Sequence, residues 1–301
     1  MTSADRTPVV CAVVVIYHPE HAILRELLAA VAPQVSATII VDNGSDPSDA
    51  ALAEILRQPA VTVLRNDGNV GLARALNQGI DRARQQDATH VLLLDQDSTP
   101  APDMVSTLLV ALARLEAERP VGAVGPTLID PRTGKRAPFV RFGFPLNPVV
   151  HAAPGEVVAC DFLTTSGSLI PVAVLDRVGG MDESLFIDHV DVEWCFRAAR
   201  SGRSIAGVGD ATMLHRIGDR LIRGTTLFIH GPERLYYIMR NRVLLYQLPH
   251  ISWTWIGQDV LRIPFKFLIF AVLVPGRLRN IYAMTTGLWD GVRGRRGQRA
   301  R

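Results

Sequence analysis

Short apolar runs alternate with amphipathic stretches through the first hundred residues, and this alternation limits the folds that the chain can adopt. Four runs are rich in Val, Ile and Leu, namely VVCAVVVIY, ATIIVDN, VTVLRN and THVLLLDQD. Helix-like segments such as HAILRELLAAV, DAALAEILRQ and LARALNQGIDRARQQ separate them. Continuous apolar strands between amphipathic helices are typical of βαβ units, whose strands are covered on both faces. The pattern predicts an α/β fold with a doubly wound, mainly parallel sheet.

The pattern changes after this region. Residues 121–160 are rich in Pro, Gly and Arg, which predicts loops and short antiparallel strands instead of another βαβ unit. A second ordered block follows and ends in a helix, and RLYYIMRNRVLLYQL and WIGQDVLRIPFKFLIFAVLVPGRLRNIYAM predict further helices. The domains that we expect are one over residues 8–230, in two halves at 8–120 and 121–230, and a C-terminal helical region over residues 231–301.

Composition excludes several other kinds of protein. An apolar content of 48% in 301 residues is that of a folded chain. Cys11, Cys160 and Cys195 have no CxxC spacing, which argues against a disulfide framework or a zinc site and favours a reducing compartment. The N-terminal apolar run is interrupted too early for a signal peptide, so we interpret it as the first strand.

Polar residues end each predicted strand, at the edge where doubly wound sheets bind ligands. Asp95 and Asp97 end the strand THVLLLDQDS, and two carboxylates so placed can hold a hard divalent cation beside phosphate oxygens. A turn with a helix cap is the alternative interpretation of this Asp-x-Asp. Asp42, in IIVDNGSD, is placed either to accept a hydrogen bond from a nucleobase or to cap the next helix.

The run NDGNVGLARALNQGIDRA opens a helix directly after a strand. Gly71 permits close backbone approach, the helix N-terminus favours anions, and Arg74 adds a cation, so Asn69, Gly71 and Arg74 are candidates to bind phosphates. The alternative is a plain glycine-rich loop with an exposed arginine.

The segment LFIDHVDVEWCFRA places Asp188, His189, Asp191 and Glu193 at the start of a helix. Acidic residues are common in a first helical turn, which is the alternative for any one of them. Crowded carboxylates beside apolar residues have a perturbed proton affinity, as a general base requires. His215, in GDATMLHRIGD, is either a structural histidine or a metal ligand if the fold brings it to Asp97.

Seven of these motifs occur in an order that resembles family 2 inverting glycosyltransferases of the A-type fold. They are VVVIYHPE, IIVDNGSD, NVGLARALNQGI, LLLDQDS, TTSGSLI, FIDHVDVEWCFRA and the late His215. The DQDS and FIDxVDxEW forms, the H-x-x-G-D segment and RLYYIMRN are most similar to bacterial rhamnosyltransferases. The resemblance covers residues 9–245.

This resemblance implies a role for each matching residue. The donor-binding residues would be Tyr17, Asp42, Asn69, Gly71, Arg74, Asp95 and Gln96, with Tyr17 and Asp42 along the nucleobase. The metal ligands would be Asp97 and His215. The catalytic base would be Asp191, with Asp188 as a competing candidate. The acceptor side would be formed by Thr165, Ser166, Gly167, Glu193 and Trp194. Residues 8–120 become the nucleotide-binding half and residues 121–230 the acceptor-side half.

The implied reaction is inverting glycosyl transfer that requires Mg²⁺ or Mn²⁺. Its donor would be a nucleotide diphosphate sugar, with dTDP-rhamnose expected, and its acceptor a glycan or a polyprenyl- or lipid-linked molecule. A nucleotidyltransferase is the alternative enzyme, but YHPEHAI does not match the glycine-rich phosphate loop that those enzymes carry after the first strand. A nucleic-acid-binding protein is disfavoured because the basic residues are confined to one end. A catalytically inactive scaffold of the same fold is the third alternative.

The C-terminal region predicts contact with a membrane surface. Residues 277–301 contain seven arginines and one acid, Asp290. The longest apolar run, Phe267 to Pro275, is shorter than the roughly 20 residues needed to cross a bilayer. We therefore expect a peripheral segment at the cytoplasmic face of the membrane. The alternative is that the run packs on the domain. A homodimer is also possible on this sequence.

Overall fold

The computed structural model describes residues 7–216, 220–221 and 228–299. The strands are β1 (Val10–Ile16), β2 (Ala37–Asp42), β3 (Val61–Arg65), β4 (His90–Asp95), β5 (Ser98–Pro100), β6 (Val121–Ile129), β7 (Phe139–Val140), β8 (Val149–Val150), β9 (Val157–Cys160), β10 (Leu169–Pro171), β11 (Ser204–His215), β12 (Arg220–Leu221) and β13 (Phe228–Ile229). The helices are α1 (His21–Val31), α2 (Ala50–Ile55), α3 (Leu72–Gln85), α4 (Met104–Glu116), α5 (Val172–Val178), α6 (Val190–Arg200), α7 (Pro232–Tyr246), α8 (Trp253–Val272) and α9 (Arg277–Val292). Short 3₁₀ turns occupy Ala32–Gln34 and Glu183–Leu185.

A mixed sheet with the order β3-β2-β1-β4-β10-β6-β11-β5 organises the chain, and β9 pairs with β11 beside it. The pairs β1–β2, β1–β4, β2–β3 and β6–β11 are parallel. Successive residues of β1 enter two different cores, with Val13 in one and Val14 in the other. This burial on both faces confirms the doubly wound, mainly parallel sheet. Cys11, Cys160 and Cys195 are buried and free.

The prediction of loops and short antiparallel strands over residues 121–160 was wrong for its first part, which is a long strand parallel to β11. Residues Val121–Ile129 form β6, which lies inside the sheet between β10 and β11. Its glycines serve packing, because a Cβ added to Gly125 would lie 2.8 Å from the side chain of Leu163. The short strands β7, β8 and β9 follow, as expected for the remainder.

The C-terminal helices pack against one another and against the sheet domain. Helix α9 lies on α7 at close range, since a Cβ added to Gly291 would be 2.7 Å from the carbonyl oxygen of Arg240. Their shared core includes Phe186, Met239, Phe270 and Met284. Pro264 lies inside α8. Within the described ranges, no helix has both the length and the apolar character that crossing a membrane requires.

Candidate active site

Side chains from the ends of β4 and β11 and from the turn after β4 meet at one edge of the sheet. Asp95 ends β4, Asp97 follows it, and His215 ends β11, where its backbone pairs with that of Ser98 in β5. One ligand atom from each of the three lies within 4.8 Å of the others. His215 Nδ1 is 3.5 Å from Asp97 Oδ1, and Nε2 is 3.9 Å from Asp95 Oδ2. Two carboxylates and an imidazole at this spacing fit a divalent cation.

Two buried serines hold this cluster from beneath. Ser98 Oγ lies 3.0 Å from His215 Nδ1 and 2.6 Å from Ser166 Oγ. Ser166 Oγ in turn accepts a hydrogen bond of 2.9 Å from the backbone N–H of Asp95. Because Ser98 engages Nδ1, the Nε2 atom that faces Asp95 is left as the metal-binding nitrogen, provided that Nδ1 carries the proton.

The loop before α6 carries Asp188 and leads to Asp191, in an unusual conformation. Phe186, Asp188 and His189 have φ values of 66°, 63° and 61°, in the left-handed region that non-glycine residues rarely occupy. Side chains from α7 hold this loop in place, because Asn241 Nδ2 lies within hydrogen-bonding distance of three of its carbonyl oxygens. The strained backbone is therefore fixed by a buried amide.

The two candidate bases have different electrostatic surroundings. Burial raises the pKa of Asp191 to about 6, and the carboxylates of Asp188 and Asp95 contribute to the increase. Asp188 is ion-paired, with Arg234 Nε 3.0 Å from its Oδ1 atom. A guanidinium at this distance stabilises the charged form of a carboxylate and makes it a weaker proton acceptor. The surroundings favour Asp191 as the base.

The cluster of Asp95, Asp97 and His215 lies within electrostatic range of the loop of residues 186–189, called the base loop. Burial raises the pKa of Asp95, while the charges of His215 and Arg234 lower it and that of Asp97 raises it. Arg234 therefore acts on both Asp95 and Asp188, which places the candidate metal ligands near the base loop.

The ends of β1, β2 and β4 are joined by side-chain hydrogen bonds. The Tyr17 backbone N–H donates to Gln96 Oε1 at 2.7 Å, and the Tyr17 side chain is 46% exposed. Asp42 is buried and accepts a hydrogen bond from the Ser45 N–H. Asp42, Arg65 and neighbouring residues line a cavity of about 220 Å³. Asp42 and Tyr17 thus lie at the carboxyl ends of the parallel strands, as predicted. The Gln96 side chain instead hydrogen-bonds the backbone of Tyr17.

The loop before α3 is held by an asparagine network. Asn69 Oδ1 accepts hydrogen bonds from the Gly71 N–H and from Asn43 Nδ2. Arg74 is exposed on the first turn of α3. Gly71 permits a close approach, as predicted, but the partner is protein: an added Cβ would lie 2.8 Å from the carbonyl oxygen of Phe186. The loop before α3 therefore packs directly on the base loop.

The acceptor-side candidates lie at different depths. Thr165 and Ser166 are buried, and the Gly167 N–H donates to the Leu93 carbonyl, so this turn supports β4 and the acidic cluster from within. Glu193 is buried in a two-pronged ion pair with Arg197 and also contacts His250.

Trp194 is buried as well, and its Nε1–H donates to the Gly179 carbonyl. The structure therefore places Glu193 and Trp194 in the core, where both contribute to the packing of α6.

Comparison with known proteins connects this geometry to a family. The family model of glycosyl transferase family 2 matches residues 12–152. A dTDP-rhamnosyl transferase, RfbF of Shigella flexneri, is 28% identical over 291 residues that cover 94% of this chain and 95% of the relative. This chain is a glycosyltransferase whose residues 12–152 match the family 2 model. It transfers a glycosyl group from a nucleotide sugar.

Other relatives agree with this assignment. The N-acetylglucosaminyl-diphospho-decaprenol L-rhamnosyltransferase of Mycobacterium tuberculosis is 25% identical over 85% of the glycosyltransferase chain and 92% of its own. Two solved structures share the fold. GalNAc-T7 with UDP, GalNAc and Mn²⁺ has a TM-score of 0.60 at 15% identity, over 89% of this chain and 57% of its own. Residues 1–349 of S. aureus TarS with UDP-GlcNAc have a TM-score of 0.57 at 16% identity. The match covers 95% of this chain and 81% of the TarS chain.

Sequence reasoning did not single out several residues that build the site of this glycosyltransferase. Ser98 follows the acidic pair directly, and its complete burial is not apparent from the sequence. Arg234 and Asn241 belong to RLYYIMRN, so the motif that signalled the family also contained their positions. Residues 217–219 of the H-x-x-G-D segment lie outside the described residues.

Proposed function

We propose that the donor of this glycosyltransferase is dTDP-rhamnose and that the acceptor is a hydroxyl of a glycan or of a polyprenyl- or lipid-linked glycan. The name and near-complete alignment of the Shigella relative support the donor. The name of the mycobacterial relative supports the same sugar and a lipid-linked acceptor. The observation that carries the chemistry is that Asp191 lies near the Asp95, Asp97 and His215 cluster, close enough for the charge of Asp95 to raise the pKa of Asp191.

Asp191 is the general base of this proposal. Its pKa of about 6 leaves it ionised at neutral pH and still basic enough to receive a proton in the transition state. The acceptor O–H proton moves to the Asp191 carboxylate as the oxygen forms a bond to the anomeric carbon of the sugar. The bond from that carbon to the diphosphate oxygen breaks, and dTDP leaves with the electron pair. One displacement inverts the anomeric centre.

Mg²⁺ or Mn²⁺ is the proposed cofactor, held by Asp97, His215 and Asp95. An imidazole beside two carboxylates favours Mn²⁺, because Mg²⁺ is bound mainly through oxygen, and Mn²⁺ is also the ion that accompanies UDP in the GalNAc-T7 structure. When bound, the ion offsets charge that develops on the departing diphosphate. Ser98 and Ser166 orient His215 and the backbone of Asp95 for this purpose.

A membrane surface is the proposed location, on the cytoplasmic side. One face of α8 presents Trp253, Val260, Leu261, Phe265, Leu268 and Val272 to solvent. These residues recur at helical spacing, and Leu278, Tyr282 and Trp289 of α9 are exposed as well. Arginines 277, 279, 293, 295 and 296 supply the attraction to anionic lipids. The opposite side of both helices packs on α7, so the segment belongs to the folded protein and still offers an apolar surface.

The decisive experiment measures dTDP release and product stereochemistry. Purified full-length protein is incubated with dTDP-rhamnose, Mn²⁺ and lipid-linked acceptor, with UDP-GlcNAc as the alternative donor. We expect metal-dependent release of dTDP, an inverted linkage by NMR, and loss of both with EDTA or in Asp97→Ala. Turnover of UDP-GlcNAc in preference to dTDP-rhamnose would contradict the donor assignment, and a retained anomeric configuration would contradict the mechanism.

A further inference from the structure

A buried polar cluster between α7 and α8 is not used by the chemistry described above. Its centre is Arg242 of α7, whose side chain is 1% exposed. Among the described residues, Nε and Nη1 of Arg242 have no hydrogen-bond partner. Asp259 Oδ2 is 3.4 Å from Nε, close enough for an ion pair but not aligned for a hydrogen bond, and the same oxygen accepts from the Tyr246 hydroxyl. A buried guanidinium therefore retains unused donors.

Gln258 and His189 also have buried polar atoms without hydrogen-bond partners among the described residues. The Gln258 side chain is also 1% exposed, and neither Oε1 nor Nε2 has a hydrogen-bond partner within the described part of the chain. Nδ1 of His189 is in the same condition. Buried polar atoms without partners destabilise a fold, and native proteins keep few of them. His189 is close enough to Arg242 and Lys266 to feel their charges, and Gln258 directly precedes Asp259, the ion-pair partner of Arg242. Unsatisfied atoms so grouped indicate a site that is completed by a bound molecule.

The charge of the cluster favours an anion. Arg242 and Lys266 carry two positive charges, Asp259 carries one negative charge, and Arg262 adds a further positive field. Burial lowers the pKa of Lys266 to about 8, with the charge of Arg242 contributing. Burial and the two cations also lower the pKa of His189, which stays neutral. A negatively charged ligand would relieve this repulsion and accept the unused hydrogen bonds.

The position of the cluster connects it to the acceptor. The charge of Asp188 acts on Lys266 and on Asp191, and Asp95 also acts on Asp191. Asp188 is thus near both the polar cluster and Asp191, which in turn lies near Asp95. Helix α8 carries Asp259 and Lys266 on its inner face, whereas Leu261, Phe265 and Leu268 are exposed on its outer face. A molecule bound at the cluster lies where a lipid-facing surface and the base meet.

We propose that Arg242, Gln258 and Lys266 form an anion site that binds the phosphate group of a lipid-phosphate-linked acceptor. The site would fix the charged end of the acceptor and thereby present a sugar hydroxyl to Asp191. This inference rests on the proposed function, since it assumes that the acceptor is lipid-linked.

The test uses inorganic pyrophosphate as the probe, with the metal-free full-length protein in EDTA. Lys135, the other lysine of the chain, is exposed on a loop and gives a matched control. We expect saturable binding by calorimetry, weakened at least about ten-fold in Lys266→Gln and unchanged in Lys135→Gln. Arg242→Gln should weaken binding as well, with circular dichroism to verify its fold. Equal affinity in Lys266→Gln and the wild type would overturn the proposal.

Chemical labelling offers a second measurement that does not require a variant. An amine-reactive acylating reagent at pH 8 should modify half-buried Lys266 faster than an ordinary lysine, and pyrophosphate should protect Lys266 but not Lys135. The charged groups that set this reactivity are Arg242, Asp259, Arg262 and Asp188. Equal protection of the two lysines would contradict a site at Lys266.

Competition and lipid experiments identify the source of the phosphate. Farnesyl diphosphate should displace pyrophosphate, whereas dTDP should not, because the proposed donor site is at the cluster of Asp95, Asp97 and His215. Displacement by dTDP would assign the cluster to the donor and overturn the proposal. So would Lys266-dependent binding to phosphatidylglycerol vesicles without Lys266-dependent binding of pyrophosphate. Failure of the proposed function is seen separately, as absence of dTDP release by the wild type.

Discussion

The side-chain amide nitrogen of Asn241 lies 2.9 Å from the carbonyl oxygen of Asp188, in the loop that leads to Asp191. The same nitrogen is 2.7 Å from the Ile187 carbonyl, so a residue of α7 fixes a loop whose backbone is strained. Asn241→Ala should lower kcat by up to about 100-fold, because small displacements of a catalytic group are costly. It should also lower the free energy of unfolding by about 1–3 kcal/mol. Urea unfolding and initial rates measure both, with Asn147→Ala as the control. A variant with normal kcat would show that the base is aligned by other contacts.

Asp191→Asn should combine loss of activity with a gain in stability. Loss of general-base catalysis lowers kcat by about 10²–10⁴-fold, while donor affinity is retained. The folded-state pKa of about 6 exceeds the ordinary value of 3.8, so the folded protein binds more protons than the unfolded chain between these values. Stability is therefore lost as the pH rises through that window, and an uncharged Asn avoids the loss at pH 7. Thermal melting at pH 7 measures this change.

The same base predicts the pH dependence of the wild type. The acidic limb of kcat/KM should have an apparent pKa of about 6, because Asp191 must be ionised to accept a proton. Asp188→Asn, which breaks the pair with Arg234 and removes a carboxylate that raises the pKa of Asp191, should retain this limb and shift it to lower pH. If the limb disappears in Asp188→Asn and Asp191→Asn stays active, the two roles are exchanged.

Ser98→Ala should weaken metal binding although Ser98 is not itself a ligand. Its hydroxyl holds Nδ1 of His215, and removal of such an outer hydrogen bond typically costs about 10–100-fold in metal affinity. Titration with Mn²⁺, followed by electron paramagnetic resonance, measures the dissociation constant without turnover. Ser106→Ala, on the exposed side of α4, is the matched control. Identical Mn²⁺ affinity in the two variants would exclude this role for Ser98.

The exposed face of α8 should determine vesicle binding. Phe265 is 67% exposed and Leu268 is 61% exposed, so replacing both with Asp should leave the core intact. The affinity of the double variant for phosphatidylglycerol vesicles should be lower by roughly ten-fold or more, because two exposed apolar side chains are removed. Val110→Asp, at a 70% exposed position of α4, controls for the added charge. Sedimentation with vesicles at low salt provides the measurement, and equal binding by all three proteins would rule out α8 as the anchor.

The parallel core of the fold was predictable because the sequence encodes it locally. Strands such as Val10–Ile16 and His90–Asp95 are continuous apolar runs, and α3 has helical periodicity with buried Leu76 and Ile80 on one side. Strand β6 was not recognised, since its glycines and Pro126 suggest a loop in isolation. Only the tertiary contact of Gly125 with Leu163 explains why glycine is needed there.

The site was predictable where residues end strands, and less so where burial decides the role. Asp95, Asp97 and His215 converge because β4 and β11 end, and β5 begins, at one edge. Ser166 and Glu193 resemble binding-site residues by their chemistry, yet both are buried. Ser166 accepts from the distant Asp95 N–H, and Glu193 pairs with Arg197 one turn along α6 and with the distant His250. The orphaned donors of Arg242 have no sequence signature at all, because solvent exclusion by α8 creates them.

The missing side chain at Gly71 has a consequence for how this scaffold can diversify. The loop before α3 and the base loop share a surface at that point, with the Phe186 ring and carbonyl in the space that a Cβ would fill. A substitution that reshapes the loop before α3 for a new sugar nucleotide therefore also shifts the backbone that leads to Asp191. Donor preference and proton transfer should therefore change together. We expect variants with a reshaped loop before α3 to bind a new donor but to turn it over slowly until the position of Asp191 is restored.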